Sequence, residues 1–155
     1  MKVSYSYLNE QFKNPEGIWA DIRELVLEGD FTLGKRLERF EEELAKWIGS
    51  KYAVGVCTGT DALRLSLAAH EIGSGDEVIT TPFTFAATAN VIIHVGAKPV
   101  FVDIQKDTYN IDPDLIEKAI TKKTKAIIPV HYGGHPCDMD EISKIAKKYN
   151  LAVIE

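Results

Sequence analysis

The feature that most constrains the fold of this chain is a regular alternation of short apolar runs with helical segments. The apolar runs lie at residues 53–57, 77–81, 98–103, 125–130 and 151–155. Runs this short, with few polar residues, indicate strands that are buried on both faces. Strands that alternate with helices predict an α/β fold with a mainly parallel sheet, helices on both faces and right-handed crossovers.

Residues typical of helix ends mark the segments between these runs. Apolar residues at helical spacing predict a helix from Leu37, and Gly49 is a residue type that commonly ends one. Asp112 followed by Pro113 predicts the start of another helix. The segment from Met139 to Tyr149 has acidic residues at its start and two lysines at its end, which matches the helix dipole. Two further helices are predicted over residues 61–71 and 85–95.

Composition and charge restrict the partners and the compartment. The chain has 155 residues and a net charge of −5, and no basic run is present, so no nucleic-acid partner is expected. Its apolar runs are far shorter than the roughly 20 residues of a membrane span. Met1–Glu10 has no apolar signal core, and Cys57 and Cys137 lie far apart. We therefore expect a cytoplasmic protein with reduced thiols and no membrane partner.

The loops that follow the predicted strands are the places where a ligand is expected. In an open parallel sheet, ligands bind beyond the carboxyl ends of the strands. The loops in question are Thr58–Thr60, Pro82–Phe85, Ile104–Lys106 and His131–Pro136.

The first of these loops is a strand–turn–helix junction around Gly59. Glycine allows a tight turn and a close approach of the backbone, and Thr58 or Thr60 can cap the following helix. The free N–H groups of a first helical turn, with the positive end of the dipole, form an anion site. The pattern is neither a dinucleotide fingerprint nor a Walker loop. An ordinary capped turn and a phosphate site are therefore both open interpretations.

The second loop places two aromatic residues, Phe83 and Phe85, directly after Pro82, which ends a strand. A flat cofactor ring could stack on one of them, which would contribute about 0.5–1.5 kcal/mol beyond area burial. The alternative is that both rings pack in a local core.

The third loop contains two histidines four residues apart, His131 and His135. A metal site is not expected, because Gly133-Gly134 and Pro136 prevent a helical presentation and no adjacent carboxylate or cysteine completes a ligand set. His131 at the end of a strand is expected to face a ligand pocket. His135 is interpreted as a loop residue.

These stretches, in this order, resemble the DegT-type sugar aminotransferases, a branch of the fold-type I pyridoxal-phosphate enzymes. The resemblance covers nearly the whole chain, and the ordered series is specific although each piece alone is weak. The matching segments are Gly29–Gly34 with Phe40-Glu41, Gly59–Leu63, Gly75–Ile79, Pro82–Phe85, Gly96–Val100, Val102-Asp103, Pro129–His131 with Gly134, and Pro136–Met139.

The resemblance implies pyridoxal 5'-phosphate as the cofactor and gives roles to individual residues. Gly59, Thr60 and Asp61 match the turn that holds the cofactor phosphate, and Phe85 matches the aromatic residue that stacks on the pyridine ring. His131 matches a histidine on the substrate side of the pocket. No metal ion is implied.

The resemblance also implies a domain organisation and an oligomer. Residues 1–35 correspond to an N-terminal arm and dimer-interface segment, and residues 36–155 to the first part of the large cofactor-binding domain. The loop Phe31–Gly34 resembles one that lies near an active site shared by two subunits, so a homodimer is expected.

The catalytic residues themselves are expected beyond Glu155. In the family, a strand like residues 152–155 is followed at once by the aspartate that pairs with the pyridinium nitrogen, and the Schiff-base lysine comes later. None of the lysines present matches it. The 155-residue chain alone is therefore expected to be inactive, as the incomplete first part of a large domain whose remainder and small domain are absent.

The implied activity is the transfer of an amino group, from glutamate, to a keto-sugar that is nucleotide-linked. The context is the biosynthesis of cell-surface polysaccharide or of secondary-metabolite sugars. One alternative within the superfamily is a sugar dehydratase, in which a histidine replaces the lysine. A second alternative, from another class, is a non-catalytic α/β module that binds a nucleotide or a sugar.

Overall fold

The computed structural model describes residues 6–155, and the chain forms two compact units. The first unit ends at Gly55 and is helical, and the second runs from Val56 to Glu155 and contains the sheet. The assignment of residues 1–35 to an arm and 36–155 to a large domain stays a prediction. Residues 1–5 of that arm lie outside the described part of the chain.

Helices account for most of the first unit: α1 (Leu8–Gln11), α2 (Glu16–Glu28) and α3 (Lys35–Ile48). The helix predicted from Leu37 is confirmed. It ends at Gly49, whose φ of +80° lies in the left-handed region that favours glycine. Nη2 of Arg36 lies 3.1 Å from a carboxylate oxygen of Glu24 and 3.6 Å from one of Glu28, so ion pairs join α3 to α2.

Residues 53–57 do not form the strand that their apolar run predicts. A strand needs a neighbouring strand to satisfy its backbone groups, and none among residues 6–155 pairs with this segment. The N–H of Gly55 instead donates to Oε1 of Glu41 at 2.6 Å. Val54 is 77% exposed, so the run is also not buried. The prediction was wrong because apolar character alone does not supply a partner.

The second unit contains a four-stranded sheet made of β1 (Glu77–Thr80), β2 (Lys98–Phe101), β3 (Thr124–Ile127) and β4 (Ala152–Val153). All neighbouring strands are parallel, in the order β2–β1–β3–β4, which confirms the predicted sheet. The strands are shorter than predicted at their carboxyl ends. After β3, the last backbone hydrogen bond donated to β1 runs from the N–H of Ile128 to the carbonyl of Ile79 at 2.8 Å, and Pro129 has no N–H to continue the ladder.

Helices cover both faces of this sheet, as predicted: α4 (Gly59–Ala69), α5 (Ala87–His94), α6 (Pro113–Ala119) and α7 (Met139–Tyr149). On one face, Leu67 of α4 and residues of α5 pack in the same cluster as Val78. On the other face, Ile116 of α6 and Ile142 of α7 pack in the same cluster as Ile79. Val78 and Ile79 are consecutive in β1, so they point to opposite faces.

The predicted helix starts are confirmed by their caps. Asp112 accepts a hydrogen bond from the N–H of Asp114 at 3.1 Å, and Pro113 occupies the first helical position. The helix α7 has the predicted bounds, and Asp138 caps it by accepting from the N–H of Glu141 at 3.2 Å. Within residues 6–155, no helix has the length and apolar character that crossing a membrane requires.

Candidate active site

Three of the predicted ligand loops meet at the carboxyl edge of the sheet. Phe83, after β1, lies 4.7 Å between ring centroids from Tyr132, after β3. Tyr109, in the loop after β2, lies 5.8 Å from Phe83 and 5.9 Å from Tyr132. All three rings remain substantially exposed. The loops therefore form one surface, as expected from parallel strands.

The amino end of α4 reaches the same edge. The connection from α4 leads into the start of β1, so α4 runs antiparallel to that strand and begins near its carboxyl end. The helix α5 follows β1 and packs beside α4, with Leu67 and Val91 in one cluster. The topology thus brings Gly59 and Phe85 to one edge of the sheet.

Thr58, rather than Thr60, caps α4. Its backbone is extended, and Oγ1 accepts a hydrogen bond from the N–H of Asp61 at 3.1 Å. The hydroxyl of Thr60 forms no hydrogen bond with another residue of the range 6–155, and Thr60 is exposed. The choice between the two threonines as the helix cap, which the sequence left open, is decided by this geometry in favour of Thr58.

Gly59 leaves open space at this helix end. Its φ is not positive, and a Cβ built on it would meet no protein atom within 4 Å, so packing within residues 6–155 does not require glycine here. The N–H groups of Gly59 and Thr60 have no acceptor in the described residues. An uncapped pair of donors at the positive end of a helix suits a phosphate group.

Asp61 contributes a negative charge close to this anion site, and Arg64 offsets it. Nε and Nη2 of Arg64 donate to Oδ1 of Asp61 at 3.1 Å and 3.0 Å. The Asp61 carboxylate therefore accepts hydrogen bonds from Arg64, one turn further along the helix, and the backbone N–H of Asp61 donates to Thr58. Sequence reasoning missed Arg64; the spacing of Asp61 and Arg64, three residues apart on a helix, was the available signal.

Phe85 presents its ring to solvent. The side chain is 81% exposed, and it immediately precedes the first turn of α5, where its carbonyl accepts from the N–H of Thr88 at 3.0 Å. A hydrogen bond of 2.9 Å between the hydroxyls of Thr84 and Thr88 holds the adjacent backbone. The alternative in which this ring packs in a local core is wrong. An exposed aromatic face at the ligand edge fits a flat cofactor ring.

His131 is half-buried and both of its ring nitrogens are engaged. Nδ1 accepts from the backbone N–H of Cys137 at 3.0 Å, and Nε2 lies 2.9 Å from Oε2 of Glu155. The thiol of Cys137 donates to the carbonyl of Val130 at 3.2 Å, and burial raises the pKa of this thiol. His135 is exposed, and no group of three ligand-type side chains in the described residues could hold a metal ion.

Together, these residues fit pyridoxal 5'-phosphate. The free donors at Gly59 and Thr60 suit its phosphate, and the exposed ring of Phe85 suits its pyridine ring. Sequence reasoning assigned no contact to Asn110, Cys137 or Glu155, whose contacts with the loop after β3 span 6 to 26 residues of sequence. No local pattern signals contacts at that separation.

Comparison with known proteins identifies the family of the chain. The family model described as DegT/DnrJ/EryC1/StrS aminotransferase family matches residues 14–155. Among curated relatives, the spore coat polysaccharide biosynthesis protein SpsC of Bacillus subtilis is 50% identical over 135 residues, which are 87% of this chain and 35% of that protein. The UDP-2-acetamido-2-deoxy-3-oxo-D-glucuronate aminotransferase of Pseudomonas aeruginosa is 46% identical over 147 residues, 95% of this chain and 41% of that protein.

Solved structures agree in fold and sequence. DesV of S. venezuelae matches with a TM-score of 0.92 and 38% identity, over 98% of this chain and 41% of that one. The ntda protein of Bacillus subtilis, with bound cofactor PMP, matches with a TM-score of 0.88 and 43% identity, over 90% of this chain and 32% of that one. The chain thus spans about two fifths, or less, of each of these proteins. It belongs to the DegT/DnrJ/EryC1/StrS aminotransferase family, whose members use pyridoxal 5'-phosphate.

Proposed function

We propose that the whole protein is a pyridoxal-phosphate-dependent aminotransferase that acts on a keto-sugar. The observation that carries this proposal is the open amino end of α4 at Gly59 and Thr60, at the same sheet edge as the exposed ring of Phe85. Free N–H groups at a helix amino end favour a phosphate group, and an exposed aromatic face favours a flat heteroaromatic ring.

Each of these residues has a separate task in the proposal. The N–H groups of Gly59 and Thr60 and the Thr60 hydroxyl hold the phosphate, and Asp61 supports the turn through its bond to Thr58. Phe85 covers one face of the ring and excludes water from it. His131 lies at the substrate side, with a fixed ring orientation. The bound cofactor supplies the electron sink that lets an amino group leave one substrate and join another.

The names of two relatives support the substrate class in this proposal. The Pseudomonas relative is named for a UDP-linked 3-oxo sugar, and the Bacillus relative for a spore coat polysaccharide. We infer a nucleotide-linked keto-sugar as the acceptor, in polysaccharide or secondary-metabolite sugar biosynthesis, and glutamate as the amino donor. We also propose that the protein works in the cytoplasm as a homodimer with shared active sites, through the loop Phe31–Gly34.

The direct test uses the polypeptide translated from its complete gene. The expected results are a visible absorbance from bound cofactor and the transfer of nitrogen from ¹⁵N-glutamate to a UDP-linked 3-keto-sugar. Mass spectrometry of the sugar product measures the transfer.

The two alternatives give different results in the same assay. A dehydratase would bind the cofactor and remove water from a sugar without labelling it with ¹⁵N. A non-catalytic module would bind a sugar nucleotide without cofactor absorbance or product. Either outcome would overturn the proposed aminotransferase activity.

A further inference from the structure

The loop between β2 and α6 contains a buried carboxamide that the proposed cofactor site does not use. Asn110 is 2% exposed. Its Oδ1 accepts from the N–H of Tyr132 at 2.9 Å, and its Nδ2 donates to the carbonyls of His135 and Pro136, each at 3.0 Å. Three hydrogen bonds from one buried side chain therefore hold the loop that follows β3.

The backbone around Asn110 is arranged to present this side chain. Ile104 and Ile111 form an antiparallel bridge, and the N–H of Gln105 donates to the carbonyl of Asn110 at 2.9 Å, so the loop closes on itself. Tyr109 has a φ of +61°, a conformation that is unfavourable for a residue with a side chain. Such strain persists only where the surroundings determine the conformation, and it concentrates at functional sites.

The loop that Asn110 holds places the backbone N–H of Cys137 beside the ring of His131. The N–H of Cys137 lies 3.0 Å from Nδ1 of His131. Because a backbone N–H can only donate, Nδ1 must carry a lone pair, and the single proton of the neutral ring is then on Nε2. That nitrogen lies 2.9 Å from Oε2 of Glu155, at the carboxyl end of the strand β4. The loop thus selects one tautomer of His131 and directs its proton at Glu155.

We infer that Asn110 is a positioning residue for the active-site edge. Acting through residues 132–137, it fixes the tautomer and the direction of His131, which in turn holds the carboxylate of Glu155 where β4 ends. The inference deepens the proposed function and rests on it, because the held elements belong to the edge where the cofactor and the sugar are proposed to bind. Asn110 itself touches neither.

The test compares Asn110→Asp with Asn90→Asp in the full-length protein. Aspartate keeps the acceptor for Tyr132 but replaces the amide donor by an oxygen that faces the two carbonyls of His135 and Pro136. Asn90 is exposed on α5, so its variant controls for the added charge. The ¹⁵N shifts of His131 report the tautomer, and His131→Gln identifies the signal.

We expect wild type and Asn90→Asp to have the Nε2–H tautomer and Asn110→Asp to have a mixture of tautomers. We expect kcat of Asn110→Asp to fall by about tenfold to a hundredfold, because small misplacements at a site are costly, and the cofactor Kd to stay within about twofold. A variant with a lower melting temperature, but with the wild-type tautomer and kcat, would show that Asn110 is only a structural clamp.

A second measurement needs neither a variant nor a cofactor. In the wild-type protein, a coupling across the hydrogen bond between the ¹⁵N of Cys137 and Nδ1 of His131 is expected, and its absence would overturn the inference even if Asn110→Asp does not fold. If wild type shows this coupling but binds no cofactor, the proposed function fails while the positioning by the loop stands.

Discussion

At the scale of single residues, the two threonines on either side of Gly59 are chemically alike but differently placed. The Thr58 hydroxyl accepts from the N–H of Asp61 at 3.1 Å, so the helix uses it. The Thr60 hydroxyl has no such partner within the described residues, and two N–H groups beside it are free. Removing one hydroxyl should therefore affect the helix, and removing the other should affect the ligand.

The first prediction is that Thr60→Val in the full-length protein weakens cofactor binding without changing the melting temperature of the cofactor-free protein. The loss of a hydrogen bond to a charged group costs about 1.5–3 kcal/mol, which is about one to two orders of magnitude in Kd. Thr60→Ser, which keeps the hydroxyl, should bind the cofactor like wild type. Thr58→Ala should instead lower stability by about 1 kcal/mol, because it removes a cap. Titration with the cofactor measures the first effect, and thermal melts measure the second. If Thr60→Val lowered the melting temperature of the cofactor-free protein and left cofactor binding unchanged, Thr60 would have a structural role.

The second prediction concerns Phe85, whose exposed ring faces the proposed pyridine position. Phe85→Ala should weaken cofactor binding less than Thr60→Val, because stacking contributes only about 0.5–1.5 kcal/mol beyond area burial. It should change the visible absorbance of the bound cofactor more, because it faces the ring rather than the phosphate. Phe85→Trp keeps an aromatic face and should restore most of the spectrum. An unchanged spectrum in Phe85→Ala would contradict the stacking role.

The sequence predicted the residues of the proposed cofactor site better than the residues around His131. Phe85 follows the predicted strand β1, and Gly59 begins α4, the helix that leads into that strand, so the topology of a parallel sheet places both at one edge. The strand predicted before Gly59 does not form, so the position of Gly59 depends on α4 and not on that strand. Asn110 meets its partners 22 to 26 residues away, and Glu155 meets His131 24 residues away. Contacts of this range depend on how loops pack, which local residue patterns do not determine.

At the scale of secondary-structure elements, the apolar runs predicted four strands correctly and a fifth wrongly. The difference between them is whether a neighbouring strand is present. Val78 and Ile79 in β1 have parallel neighbours on both sides, and helices cover both faces. Residues 53–57 are equally apolar, but no strand of residues 6–155 pairs with them. Composition predicts how well a segment would be buried in a sheet, whereas pairing depends on the rest of the fold.

An ion pair between a buried carboxylate and an exposed lysine joins the amino ends of β1 and β2. Glu77, at the start of β1, accepts a hydrogen bond from the hydroxyl of Thr121 at 2.6 Å and lies 3.2 Å from Nζ of Lys98, at the start of β2. These two contacts, the Thr121 hydroxyl first and the Lys98 ammonium second, lower the pKa of Glu77 below its usual 4.5. The ionised carboxylate therefore stabilises the folded state.

The third prediction is that this stabilisation depends on pH. Because the pKa of Glu77 is lower in the folded chain than in the unfolded chain, its contribution is complete above about pH 4.5 and is lost as the pH falls through the folded-state value. Glu77→Gln should lower the melting temperature at pH 7, and the difference from wild type should shrink towards pH 3. Glu42→Gln, an exposed carboxylate in α3, should show neither effect. A difference that stays constant with pH would contradict the ionic origin of the effect.

At the scale of the whole molecule, we propose that each active site combines the cofactor turn at Thr60 of one subunit with the loop Phe31–Gly34 of the other subunit. In the proposal, Thr60 serves the cofactor of its own subunit, and the loop Phe31–Gly34 serves the partner. Within its own unit this loop is anchored, because the carboxylate of Asp30 accepts from the N–H of Lys35 at 3.1 Å, while Phe31 and Leu33 remain exposed. A change of Phe31 should therefore affect catalysis more than folding.

The last prediction uses hybrid dimers of the full-length protein to test this sharing. Phe31→Ala and Thr60→Val should each have low activity as homodimers. In a hybrid of the two, one site receives both altered residues and the other receives neither, so one wild-type site returns. Random mixing of equal amounts makes half of the dimers hybrids, and the mixture should recover about a quarter of the wild-type activity. A mixture of wild type with an inactive variant controls for subunit exchange. Because sites built within single subunits would each keep one altered residue, a mixture no more active than the average of its two parents would contradict a shared site, even where ultracentrifugation shows a dimer.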